Sequence, residues 1–93
     1  MKALLTIAML AAGLAVASHA HATGRATCNS GPQAGWQPED ALKQKLVAQG
    51  WSIRRIKVDG GCYEVYAIDQ NGKRIEAYFH PLTLNVVPTS RYP

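Results

Sequence analysis

The stretch from Gly60 to Pro81, GGCYEVYAIDQNGKRIEAYFHP, constrains the fold of this chain more than any other. Two runs rich in β-branched and aromatic residues, Cys62 to Ile68 and Lys73 to Phe79, flank Asp69-Gln70-Asn71-Gly72, a hairpin turn signal. Two turns fit this segment. A two-residue loop at Asn71-Gly72 pairs Val65 with Tyr78 and puts Glu64 on the face of Phe79. A type I turn, with Asp first, Gly fourth and a bulge at that Gly, pairs Asp69 with Lys73 instead. It gathers Tyr63, Val65, Ala67, Ile75, Ala77 and Phe79 on one face and Glu64, Tyr66, Ile68, Arg74, Glu76 and Tyr78 on the other. A slip of one residue flips one strand's side chains, so the cleaner segregation selects the bulged turn.

Upstream, Trp51 to Val58 reads as another strand, turned back by Asp59-Gly60-Gly61-Cys62. A two-residue Gly-Gly loop pairs Val58 with Tyr63 and Ile56 with Val65, extending the same apolar face. On the other face Lys57 meets Glu64 and Arg55 meets Tyr66. The two turns, read independently, agree on which face is buried. Pro38 to Gln49 is the one good helix: Pro38 suits its first position, Glu39 and Asp40 the positive end of its dipole, and Gly50 its C-terminal cap. Leu42 and Leu46 form a narrow stripe with Ala41, Lys45 and Gln49 beside them, so the helix needs a sheet to lie on. His80-Pro81-Leu82-Thr83 then turns into a short strand, Leu84 to Val87, that Pro88 stops. The expected architecture is an α+β domain, one N-terminal helix on a three- to four-stranded antiparallel meander.

Met1-Lys2 and the run ALLTIAMLAAGLAVA, followed by Ser18-His19-Ala20, have the layout of a cleaved secretory signal over residues 1–20. The apolar run is short for a membrane span. Cleavage after Ala20 or Ala22 fits, as does an earlier cut after Ala17, and no anchor is expected to remain. The mature chain would be periplasmic or secreted. Residues 21–36, small, polar and rich in Gly and Pro, read as an extended arm; residues 37–88 form the domain and 89–93 a tail. Two cysteines in an exported domain of this size pair as a structural disulfide, Cys28 with Cys62.

Of the 10 Lys and Arg residues, Lys2 leaves with the signal, so nine face six acids. The charges are interspersed and build no one-sign stripe of the kind nucleic-acid binding needs. Little in the chain points to catalysis. Glu64 and Glu76 lie on neighbouring strands, but Arg55, Lys57 and Arg74 surround them, which suits cross-strand ion pairs better than a carboxylate pair with one raised pKa. His80 has no second ligand nearby in sequence, and a turn-capping role suits it better than metal binding. His21 would be the new N-terminus after a cut at Ala20, where amine and imidazole together can chelate copper. Arg55, Lys57, Glu64, Tyr66, Arg74, Glu76 and Tyr78 make the second sheet face an aromatic-studded, charged surface suited to a protein partner.

The run GWSIRRIKVDGGCYEVYAIDQNGKRIEAYFHPLTLNVV resembles the PepSY domain of peptidase propeptides. That family's pattern is a helix, a strand, "YEV" opening the next strand, a "DG"-type turn, an "E-x-Y" strand and a "D-P-x-T-G" turn. Tyr63-Glu64-Val65, Asp69 with Asn71-Gly72, Glu76-Ala77-Tyr78 and Pro81-x-Thr83 match it. His80 stands where the family usually has Asp, and Leu84 where Gly is common, which puts the geometry of the closing turn in question. The resemblance spans nearly all of Trp36 to Val87 and is closest to short, exported, single-domain bacterial members. It implies a non-enzymatic module without a cofactor. Such a module holds or inhibits a peptidase, or acts as a sensor or accessory domain, its partner being a peptidase or the periplasmic domain of a membrane protein. The runner-up is a small periplasmic metal- or haem-related accessory protein using His21 and His80.

Overall fold

The computed structural model describes residues 24–89. The expected signal peptide, His21 and residues 90–93 of the tail lie outside them. Among the described residues one helix, α1 (Glu39–Ala48), precedes four strands, β1 (Ser52–Asp59), β2 (Cys62–Ile68), β3 (Arg74–Phe79) and β4 (Val86–Val87). The strands form one antiparallel sheet in sequence order, the expected α+β meander. An extended strap and a single 3-10 turn, Gln33–Gly35, come before the helix.

Both hairpin registers are those the turns dictate. Tyr63 faces Phe79, Val65 faces Ala77 and Ala67 faces Ile75. The Asp69 N–H donates to the Lys73 carbonyl at 2.8 Å, and Gly72 N–H to the Asp69 carbonyl at 2.9 Å. Asp69 Oδ1 also accepts the N–H groups of Asn71 and Lys73, so one carboxylate holds the whole turn. In the first hairpin Val58 faces Tyr63, Lys57 faces Glu64 and Arg55 faces Tyr66. Gly60 and Gly61 sit at φ 62° and 79°, the mirror-image turn that matches strand twist.

One irregularity escapes the sequence pattern. Ile53 pairs with Ala67 and Arg55 with Tyr66, which leaves Arg54 as an extra residue in a bulge. The bulge changes the parity of β1, so Ile53 and Ile56, three residues apart, both pack against the core.

The helix begins one residue after Pro38, which takes the N-cap position rather than the first helical one. It ends in a Schellman motif: Gly50 N–H donates to Val47 O and Trp51 N–H to Leu46 O, with Gly50 at φ 92°. Leu42 and Leu46 are fully buried against Trp51, Tyr63, Val65, Ala67, Ala77, Phe79 and Leu84. Burial of each leucine stabilises by about 1.5–3 kcal/mol. Val47 faces outward and is exposed.

The closing turn differs from the expectation of a strand over Leu84 to Val87. Leu84 has φ 64°, the one non-glycine in the left-handed region among the described residues, and pairing begins only at Val86. Its N–H donates to the His80 carbonyl at 2.6 Å, and His80 N–H donates to the Asn85 carbonyl at 2.9 Å. The conformation suits Gly, yet the Leu84 side chain is buried in the core and Lys45 Nζ holds its carbonyl at 2.7 Å. Packing and the lysine tether keep a leucine where its backbone alone would not settle.

Candidate functional site

The sheet face away from the helix is divided into a covered end and an open end. The cover is the strap. Cys28 is bonded to Cys62 with a Cα–Cα distance of 5.1 Å, and Cys28 N–H donates to the Gly60 carbonyl at 2.8 Å. Ser30 Oγ donates to the Gly61 carbonyl at 2.6 Å, and Trp36 Nε1 donates to the carbonyls of Ser30 and Gly31. The strap passes so close to the glycine turn that a Cβ on Gly60 would strike the Ala26 carbonyl oxygen. A Cβ on Gly61 would lie 2.5 Å from that of Cys28. Both glycines are thus required twice, by their backbone angles and by the chain passing over them.

Beneath the strap, Cys28, Cys62 and Tyr78 form a second small core, with Ala26 and Val87 against it. Tyr78 is 1% exposed and Glu64 is 0% exposed. This corrects the expectation that both present themselves to a partner on a solvated face. They lie on the expected side of the sheet, but that side is closed over them. A signal for this was available: the chosen register puts Cys62 on the face of Glu64 and Tyr66, so a segment bonded to Cys62 has to run over that face.

Hydrogen bonds set the electrostatics of this end. The Tyr78 hydroxyl donates to Asp59 Oδ2 at 2.6 Å, which also accepts Gly24 N–H at 2.7 Å. Arg25 N–H donates to the Tyr78 oxygen at 3.3 Å. These bonds, Tyr78 first and Gly24 second, hold the Asp59 carboxyl below its ordinary pKa. Burial, and then the bond to Asp59, push the Tyr78 phenol well above its usual value. The Tyr66 hydroxyl donates to Glu64 Oε2 at 2.7 Å, and burial followed by that bond raises Tyr66 as well. Lys57 Nζ lies 3.8 Å from Glu64 Oε1 and 5.9 Å from the centre of the Tyr66 ring. Among the described residues, Glu64 Oε1 has that ion pair and no hydrogen-bond donor. The cross-strand Lys57–Glu64 pair therefore exists, but with its carboxylate out of water.

The open end carries the rest of the expected surface. Arg55 and Arg74 are exposed, and Lys57, Tyr66, Ile68 and Glu76 are half-buried. Arg55, Tyr66 and Glu76 stand side by side across three strands, with Ile68 and Arg74 as the next pair along. The aromatic and aliphatic side chains sit in the middle, flanked by cations and one carboxylate.

His80 caps its turn: its Nδ1 accepts the Leu82 N–H at 3.2 Å. Among the described residues no group of three His, Cys, Asp or Glu is placed to hold a metal ion. On the helix side a shallow recess of about 370 Å³ is lined by Lys45, Gln49, Trp51, Phe79, Asn85 and Val86, with no nucleophile–base pair among them. No described helix is long and apolar enough to cross a membrane.

No curated protein and no solved structure matches this chain. The family model described as "Peptidase propeptide and YPEB domain" matches residues 3–90. That match takes in the helix, all four strands and the strap, and with it the chain is placed in the PepSY family.

Proposed function

We propose that this chain is an exported, non-enzymatic PepSY module that binds a peptidase and restrains it. Membership of the peptidase-propeptide family over residues 3–90 carries the reading. The geometry supports it: among the described residues one part of the sheet is left uncovered by helix and strap. The helix closes one face and the strap half of the other, while Tyr66 and Ile68 remain half-buried between Arg55, Lys57, Arg74 and Glu76. Aromatic residues and arginines of this kind anchor protein interfaces. A basic start followed by an apolar run and Ser18-His19-Ala20 supports export.

Mass spectrometry of the protein recovered from cells should give a chain beginning after Ala20 or Ala22. The test of function is titration of that mature protein against peptidases purified from the same cells, read by hydrolysis of a chromogenic peptide. Stoichiometric loss of activity is expected, and Tyr66→Ala should weaken it by about 30-fold, equivalent to about 2 kcal/mol. Peptidase rates unchanged at saturating module, with no complex on gel filtration, would overturn the proposal.

A further inference from the structure

We infer that the outer edge of β1 is a docking strand for an extended acidic segment of a partner protein, which joins the sheet as an added strand. The inference rests on the reading of this chain as an interaction module and names the chemistry that it recognises.

Among the described residues β1 is the terminal strand of the sheet, with β2 on one side and no strand on the other. A two-residue hairpin bonds the residues flanking its turn, Asp59 and Cys62, and bonding pairs alternate from there. Asp59, Lys57 and Arg55 therefore bond inward to β2, whereas Ile56 and Val58 direct their N–H and C=O groups outward. Among the described residues no backbone bond from outside the sheet reaches Ile56 or Val58. Val58 is also 42% exposed.

Charge selects what can bind there. Arg54, Arg55 and Lys57 lie on this one strand. The acids near it are engaged: Asp59 holds Tyr78 and Gly24, and Glu64 is buried beneath Lys57. Pairing with a second copy is opposed in the antiparallel register centred on Ile56, which sets Arg55 against Lys57 twice. The bulge at Arg54 and these cations guard the edge against self-association. The same cations favour a strand carrying carboxylates at alternate positions. Arg55 and Lys57 are two residues apart, about 6.7 Å along a strand, which is the spacing of i and i+2 on the incoming one. Backbone bonds would supply affinity and the acid-x-acid pattern would supply selectivity.

The probe is a fluorescein-labelled decapeptide with Glu at alternate positions and Val or Thr between them, compared with the same peptide carrying Lys. Fluorescence anisotropy with the oxidised mature protein at low salt should show the acidic peptide binding at least tenfold more tightly. The double variant Arg55→Glu/Lys57→Glu should reverse that order. Val58→Pro keeps every charge and loses no bond to β2, because the Val58 N–H points away from it. It should nevertheless lower affinity for the acidic peptide at least tenfold, with the circular dichroism spectrum retained. If Val58→Pro does not fold, a peptide N-methylated at the residues that bond Ile56 and Val58 replaces it, with the same loss expected. Equal binding of the two peptides, no saturable binding of the acidic one, or full affinity after either backbone change would overturn the inference. The assay contains no peptidase, so its failure removes the docking edge and leaves the proposed function standing. Loss of inhibition with peptide binding intact does the reverse.

Discussion

The Tyr78 hydroxyl reaches across β2 to donate to Asp59 Oδ2 at 2.6 Å, so the third strand is tied to the end of the first through a side chain. The same oxygen takes the Gly24 N–H, and the strap is thereby fastened to both outer strands of the meander's first three.

Tyr78→Phe keeps the buried ring and removes this bond. It should cost about 1–2 kcal/mol in a denaturant titration. Asp59 has a folded pKa below its unfolded one, so its contribution is present above about pH 3.9. That contribution is lost as pH falls through the lower folded value. The parent should therefore lose stability more steeply than Tyr78→Phe in that acid range. Parallel acid limbs would show that the bond does not hold the carboxyl down.

At the alkaline end the tyrosines act in the opposite direction. Tyr66 and Tyr78 are both raised by burial and by carboxylate acceptors, and Tyr63 by burial and the Glu39 charge. Neutral phenols then favour the fold fully below about pH 10, and that advantage is lost as pH rises through the folded values. Absorbance at 295 nm at pH 11 should be clearly smaller for native protein than for protein in denaturant. Identical titration curves would contradict the assignments.

The disulfide closes a loop with a sequence separation of 34. Cys28→Ser/Cys62→Ser should lower stability by about 3–4 kcal/mol. Hydrogen exchange in residues 26–30 should rise more than in β2 and β3, because the strap owes its place to Cys62 while those strands pack on the helix. Protection factors falling equally everywhere would show the strap and the main core to be one cooperative unit.

Leu84 sets two effects against each other. Leu84→Ala keeps the left-handed backbone and loses the buried side chain, costing about 2–5 kcal/mol. Leu84→Gly loses the same side chain but relieves the backbone, so it should be more stable than Leu84→Ala by about 1 kcal/mol. A glycine variant that unfolds at lower denaturant than the alanine one would show that the strain lies elsewhere.

The faces and registers were legible because each hairpin turn has its own chemistry, and a register follows from the turn. What covers a face was harder to read. Alternation places Tyr66 and Tyr78 together, yet Tyr78 lies under the strap and Tyr66 at the open end. Truncating Tyr78 is therefore a core substitution rather than a surface one. The strap residues, small and without periodicity, give no pattern that shows where they lie; only the cysteine pairing does. The Arg54 bulge was hidden because it is imposed by packing at a distance. At Leu84 the place usually taken by Gly marked a turn of altered geometry without showing that leucine keeps the left-handed backbone. Ile53 and Ile56 both have to reach the core, and so does the leucine side chain.

The Cys28–Cys62 bond also sets how the molecule would respond to force. Tension along the chain would pass from the strap through sulfur into β2, bypassing α1, β1 and the glycine hairpin. Roughly 115 Å of contour is thus shielded from pulling while the bond is intact. A tethered copy should stretch only over what precedes Cys28 and follows Cys62. The segment that includes the helix and the basic edge strand would then keep its covalent loop closed while the remainder is drawn out.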